Sequence, residues 1–247
     1  MRTFATLTRV ETALMVREPA ALFFIFALPL ILLTLNGAAG NEPQAALGGA
    51  GLIDVLVPGL LLLVMCTSGL MGLPETLASY RERGFLRRLR VSPLRPWQIL
   101  GAHAATHLAI AVIGLMLVVG VATFAFDLNA PASWGLAAAA IGTSAVAVIA
   151  LGFLLAAVAP TVRTTQAVGA AIYFPAIFIS GVVLPTEALP DLAQRISQVL
   201  PFTYAVRAIR EAWTAGAVDW IAFAVLAATV VVALGAGLRT FRWETRY

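Results

Sequence analysis

The chain has 247 residues, of which 61% are hydrophobic and 11% charged, with a formal net charge of +4. A soluble domain carries about 25% charge, so this composition describes a polytopic membrane protein, with length for about six spans of roughly 20 residues and none left for a separate soluble domain. All sixteen basic residues are Arg, which excludes from these residues both a GxxxxGK[ST] phosphate loop and a lysine Schiff base.

In chain order, 1–19 reads as an amphipathic helix with Phe4, Leu7, Leu14 and Met15 near one face and Arg2, Arg9, Glu11 and Arg17 around the rest. It is too polar to span and suits the interface with membrane lipids. With acidic residues and no continuous apolar core, it is not expected to be a cleaved signal. Apolar runs predict transmembrane helices at 20–38, 53–74, 98–126, 133–159, 165–184 and 219–239. The third would reach about 43 Å, longer than a ~30 Å hydrocarbon core, and so should tilt or project. Residues 185–217 are too charged to span and too apolar for a plain loop. Leu189, Leu192, Ile196 and Val199 repeat at helical spacing, and a second helix from about 202 carries Arg207, Arg210 and Glu211, with Arg207 and Glu211 spaced to pair. The segment is expected to be a helical hairpin dipping into the outer leaflet, the plainer alternative being two helices flat on the surface.

Between spans two and three lies the segment 75–97, with Arg81, Arg83, Arg87, Arg88, Arg90 and Arg95 in fifteen residues. As a helix it places Phe85, Leu86 and Leu89 on one face and Arg83, Arg87 and Arg90 on the other. Gly84 divides it into two short helices, Ser92-Pro93 ends the second, and Pro96 suits the first turn of the next. A loop that only sets orientation needs charge but no apolar face, so the pattern favours a helix that docks on a partner. Thirteen Arg fall inside and three (Arg195, Arg207, Arg210) outside if both termini and this segment are cytoplasmic. The positive-inside rule selects that orientation. Arg placed beside apolar spans in this way argues against nucleic acid as a partner.

Other constellations carry less. His103 and His107 share a helix face, but without further ligands or the Glu of HExxH they read as packing or pore-lining groups rather than a metal site. Asp54 is expected to be solvated at the outer end of its span, and Glu75 to pair locally or with a partner. Cys66 has no intrachain disulfide partner. No catalytic set is apparent. Tyr173, Phe174 and Phe178 read first as packing, with a substrate route as the alternative.

The stretch ERGFLRRLRVSPLRPWQIL (82–100) resembles the cytoplasmic loop of ABC-2 type transporter permeases, in which an acidic-basic pair precedes a short coupling helix and a Ser-Pro. The stretch YFPAIFISGVVLPTEALPDLAQRISQVLPFTYAVRAIREAW (173–213) is similar to the family's fifth span and the extracellular hairpin that follows it. Arg17-Glu18-Pro19 before span one matches as well. The resemblance implies an all-α permease with six spans, an interfacial N-terminal helix, a cytoplasmic coupling helix and an extracellular re-entrant hairpin. It would sit in a bacterial plasma membrane with both termini cytoplasmic. ATP and Mg would be bound by a partner ATPase subunit, with no cofactor in this chain. The family's coupling residues map to Glu82, Phe85, Leu86, Arg87 and Leu89. A second permease, identical or different, would complete a substrate path lined by spans one, two and five. The closest texture is that of drug and antibiotic exporters. Lipid or glycan export on the same architecture, a His-based metalloenzyme and a non-transporting scaffold are the rivals.

Overall fold

A computed structural model of the chain describes residues 19–38, 40–44, 49–84, 96–182 and 189–240. The expected N-terminal amphipathic helix falls outside these residues, apart from Pro19, and so does 85–95. Among the described residues every regular element is a helix. The first, α1, spans 19–37 as Pro19–Leu22, a π-helical turn Phe23–Ala27 and Leu28–Gly37. Then follow α2 (Leu52–Glu82), α3 (Pro96–Phe126), α4 (Trp134–Val158), α5 (Val162–Ile179), α6 (Asp191–Ser197), α7 (Pro201–Thr214) and α8 (Trp220–Thr240). Five of them (α2, α3, α4, α5 and α8) are long and apolar enough to cross a membrane, and the shorter apolar stretch Phe23–Gly37 of α1 accompanies them.

The core forms around α2, whose most apolar stretch is 89% buried, against 28% for α5 and 22% for α8. A helix that is apolar on every side can be covered by lipid or by other helices, and α2 is the one that the other helices cover. In α2, Leu60, Leu61, Leu62, Leu63 and Val64 are all buried. The helix also runs through Pro74 instead of ending there, so 75–82 is its last turns and not a separate short helix. The reason lies one turn earlier, where Thr67–Gly72 is π-helical and the Leu73 amide bonds back to the Ser68 carbonyl. Widening the helix just ahead of a proline makes room for a ring that would otherwise strike the carbonyl four residues back. The same arrangement recurs in α1, where the Leu28 amide bonds to the Phe23 carbonyl directly before Pro29. The helix finally stops at Gly84, whose φ of +66° lies in the left-handed region that glycine adopts without a Cβ penalty.

At the end of α2 away from the Arg-rich segment, Asp54 is buried instead of solvated. It accepts from the Asn129 amide N–H (3.0 Å), Asn129 Nδ2 (2.7 Å) and Asn41 Nδ2 (3.2 Å). Asn129 in turn offers its carbonyl to Trp213 Nε1 of α7 (3.0 Å). This knot joins the α1–α2 loop, α2, the α3–α4 turn and α7. Sequence showed an acid at a span end; it did not show the two asparagines, 13 and 75 residues away, that meet it. Removing Asp54 withdraws the shared acceptor from three donors. Asp54→Ala is expected to destabilise the purified protein by about 2–3 kcal/mol, read by thermal unfolding in detergent.

The hairpin region contains two described helices, α6 and α7. In α7, Phe202, Val206, Ile209 and Trp213 are buried against α2, α4 and α8. Arg207 pairs with Asp219 at 2.8 Å rather than with Glu211. In α6 the repeating apolar residues Leu192 and Ile196, with Val199 just beyond, are exposed.

Candidate functional site

The last two turns of α2 carry the acidic and basic residues that sequence singled out in the Arg-rich segment. Phe85, Leu86, Arg87 and Leu89 lie outside the described residues. Glu82 is described, and its Oε1 accepts the backbone N–H of Val162 (2.9 Å), the first residue of α5. Its neighbour Arg81, one of the six Arg of the cluster, is 5% exposed. Arg81 Nη1 donates to the Ala159 carbonyl (2.8 Å) and Nη2 to the Ala156 carbonyl (2.7 Å). These carbonyls belong to the C-terminal end of α4, where helix acceptors have no intrahelical donor and the dipole is negative. Glu82 meets the opposite case, an unpaired N–H at the positive start of α5. Two turns earlier, Glu75 Oε1 accepts from Gln166 Nε2 (2.7 Å). The α4–α5 turn is completed by a capping box between Thr161 and Thr164. Three charged side chains of α2 therefore hold the ends of two other helices.

Further along α2, three consecutive residues of the π-helical turn each meet a different helix. Thr67 Oγ1 lies 2.7 Å from Tyr173 Oη on α5. Ser68 Oγ donates to the His107 carbonyl on α3 (2.9 Å) and sits 3.3 Å from its Nδ1. Gly69 meets α4 at Gly152, where a Cβ would overlap the Gly69 carbonyl oxygen. His103 and His107 are both buried, and the His103 ring lies tilted against that of Tyr80 with centroids 5.0 Å apart. Among the described residues no group of three His, Cys, Asp or Glu is placed to hold a metal ion.

The aromatic residues of α5 part company. Tyr173 turns inward to Thr67 and is 5% exposed, while Phe174 and Phe178, four apart on one face, are 54% and 57% exposed. The arrangement offers mechanical linkage between helices at one end and an outward aromatic stripe on α5.

A family model described as "ABC-2 type transporter" matches residues 2–214. The chain belongs to the ABC-2 type transporter family. Two curated relatives of this ABC-2 protein extend the picture. "ABC transporter G family member 20" of Dictyostelium discoideum is 25% identical over 181 residues, covering 70% of this chain and 24% of the relative. "Probable multidrug ABC transporter permease YbhR" of Escherichia coli K12 is 25% identical over 150 residues, covering 60% of this chain and 40% of the relative. The ABC-2 chain thus aligns with well under half the length of either. The family match takes in α1 to α7, and with them the end of α2, the α4–α5 turn and the α5 stripe.

Proposed function

We propose that this ABC-2 protein is the transmembrane permease of an ATP-binding-cassette exporter. In this reading its Arg-rich end is cytoplasmic, and ATP with Mg is bound and hydrolysed by a partner nucleotide-binding subunit. The observation that carries the reading is the course of α2. A helix buried for most of its length runs unbroken from the bundle centre to the Arg-rich segment, and its last turns are bonded to α4 and α5. A push on that segment reaches the core through a continuous helix. The family and the relatives' names support a transporter, and the absence of Lys supports nucleotide chemistry supplied from outside these residues.

The substrate in this reading is amphipathic or hydrophobic, a drug or antibiotic being the case that the name of the Escherichia coli relative suggests. Phe174 and Phe178 lie on the exposed face of α5 and are assigned to the substrate route, which a second permease copy, the same or different, would close. Their ring faces accept flat apolar and cationic molecules without a fixed hydrogen-bond pattern.

The test acts on the docking segment. Phe85→Asp with Leu89→Asp is expected to leave the permease inserted in the membrane while reducing its co-purification with the co-expressed ATPase subunit at least tenfold. Unchanged co-purification together with unchanged ATP-dependent efflux across a drug panel overturns the assignment.

A further inference from the structure

Family resemblance assigns Glu82 to contact with the ATPase. In the structure its carboxylate is engaged within the chain, on the α5 amide of Val162. The residue before it holds the end of α4, and Glu75 holds Gln166 one turn into α5. We propose that Arg81, Glu82 and Glu75 are positioning residues that clamp the α4–α5 turn to the end of α2, so that a displacement of the Arg-rich segment moves the ends of α2, α4 and α5 as one body. The source of that displacement rests on the exporter reading above; the clamp itself does not.

Three features of the geometry support this. The bonds match in sign. A guanidinium meets the carbonyl end of α4, and a carboxylate meets the N–H end of α5, so each adds helix-dipole attraction to a hydrogen bond. The anchor is sheltered, with Arg81 buried and divided between two carbonyls three residues apart. The position is also right for transmission. Gly84, where α2 ends, lies two residues beyond Glu82, so the clamp sits where movement of 85–95 would first enter the helix. Without it, α5 would be joined to α2 near this end mainly by apolar contact, which permits sliding. With it, the face bearing Phe174 and Phe178 is tied to the α2 end.

A clamp and an ATPase contact make different demands on Glu82. The clamp needs an acceptor oxygen, whereas a charge contact with another subunit needs the negative charge. The double variants Glu75→Ala/Glu82→Ala and Glu75→Gln/Glu82→Gln separate the two, because Gln keeps a carbonyl oxygen at each position and loses the charge. In the purified permease alone, amide exchange over 162–166 should quicken at least threefold in the Ala pair and stay within twofold of wild type in the Gln pair. In the complex with its ATPase, adding ATP and Mg should change exchange at 76–84 and at 161–168 together in wild type. The Ala pair should keep the response at 76–84 and lose at least two thirds of it at 161–168, and the Gln pair should restore it. Equal behaviour of the two pairs, a persisting response at 161–168 in the Ala pair, or loss of ATPase co-purification in the Ala pair overturns the clamp. If wild-type permease assembles with no ATPase, the exporter reading falls, and the measurement on the permease alone still decides the clamp.

Discussion

Arg81→Ala is expected to lower the stability of the purified protein by about 3 kcal/mol. Each hydrogen bond from a charged donor is worth about 1.5–3 kcal/mol, and Arg81 makes two, at 2.8 Å and 2.7 Å, to Ala159 and Ala156. Truncation also leaves those carbonyls at the end of α4 without their guanidinium, in a place already closed to water by packing. Arg81→Lys should recover only part of the loss, since an ammonium is a point charge and cannot span two carbonyls with a planar fork. Thermal unfolding in detergent reads the effect. A shift no larger than that of Arg83→Ala, at an exposed position on the same turn, would show that the buried bonds contribute little.

Gly152→Ala is the second substitution with a large expected effect, although it adds one methyl group. The new Cβ would overlap the carbonyl oxygen of Gly69 and lie 3.5 Å from the Cα of Leu70. Backbone cannot rotate aside as a side chain can, so α4 and α2 must separate where they cross. Overpacking of this kind costs about 1–3 kcal/mol, and separation would also loosen Thr67 and Ser68 from α5 and α3. Gly235→Ala on α8 is the control, because nothing lies within 4 Å of the added atom. There the higher helix propensity of Ala should leave stability unchanged or raise it by up to about 1 kcal/mol. The two variants differ by the same methyl group, so equal thermal stability would refute a tight α2–α4 crossing.

Sequence made the fold class legible because lipid removes most alternatives: apolar runs of span length can only be helices when no strand pattern closes a barrel. The start of a second helix near 202 was legible, and α7 begins at Pro201, but the apolar repeat noted ahead of it is not a buried face, since Leu192, Ile196 and Val199 are exposed. The course of α2 was not legible. Pro74 is a stop signal by local rules, and only the π-helical turn before it, which no composition announces, lets the helix continue to Glu82. Long-range pairing was equally hidden. Arg207 had a carboxylate at helical spacing in Glu211, yet it takes Asp219 beyond the end of α7. Asp54 looked like a solvated end residue because its asparagine partners stand on other segments. At the site, resemblance singled out Glu82 for a coupling role, whereas nothing separated Arg81 from five neighbouring Arg, since identity and spacing do not say which guanidinium turns inward. The aromatic trio on α5 shared a chemical character in sequence, and only helix rotation sets Tyr173 apart from Phe174 and Phe178.

The polar bonds of α2 also bear on the order in which the chain can mature. Nearly every partner is made later: Asn129 for Asp54, Tyr173 for Thr67, Ala156 and Ala159 for Arg81, Val162 for Glu82 and Gln166 for Glu75. A nascent chain that has inserted α1 to α3 therefore holds a central helix whose charged ends lack these later partners and whose waist has met α3 through Ser68 but not yet α4 or α5. Tertiary locking waits until the ribosome has passed Tyr173. Newly inserted chains cut short before that point should be open to membrane quality-control proteases, whereas those a few dozen residues longer should survive.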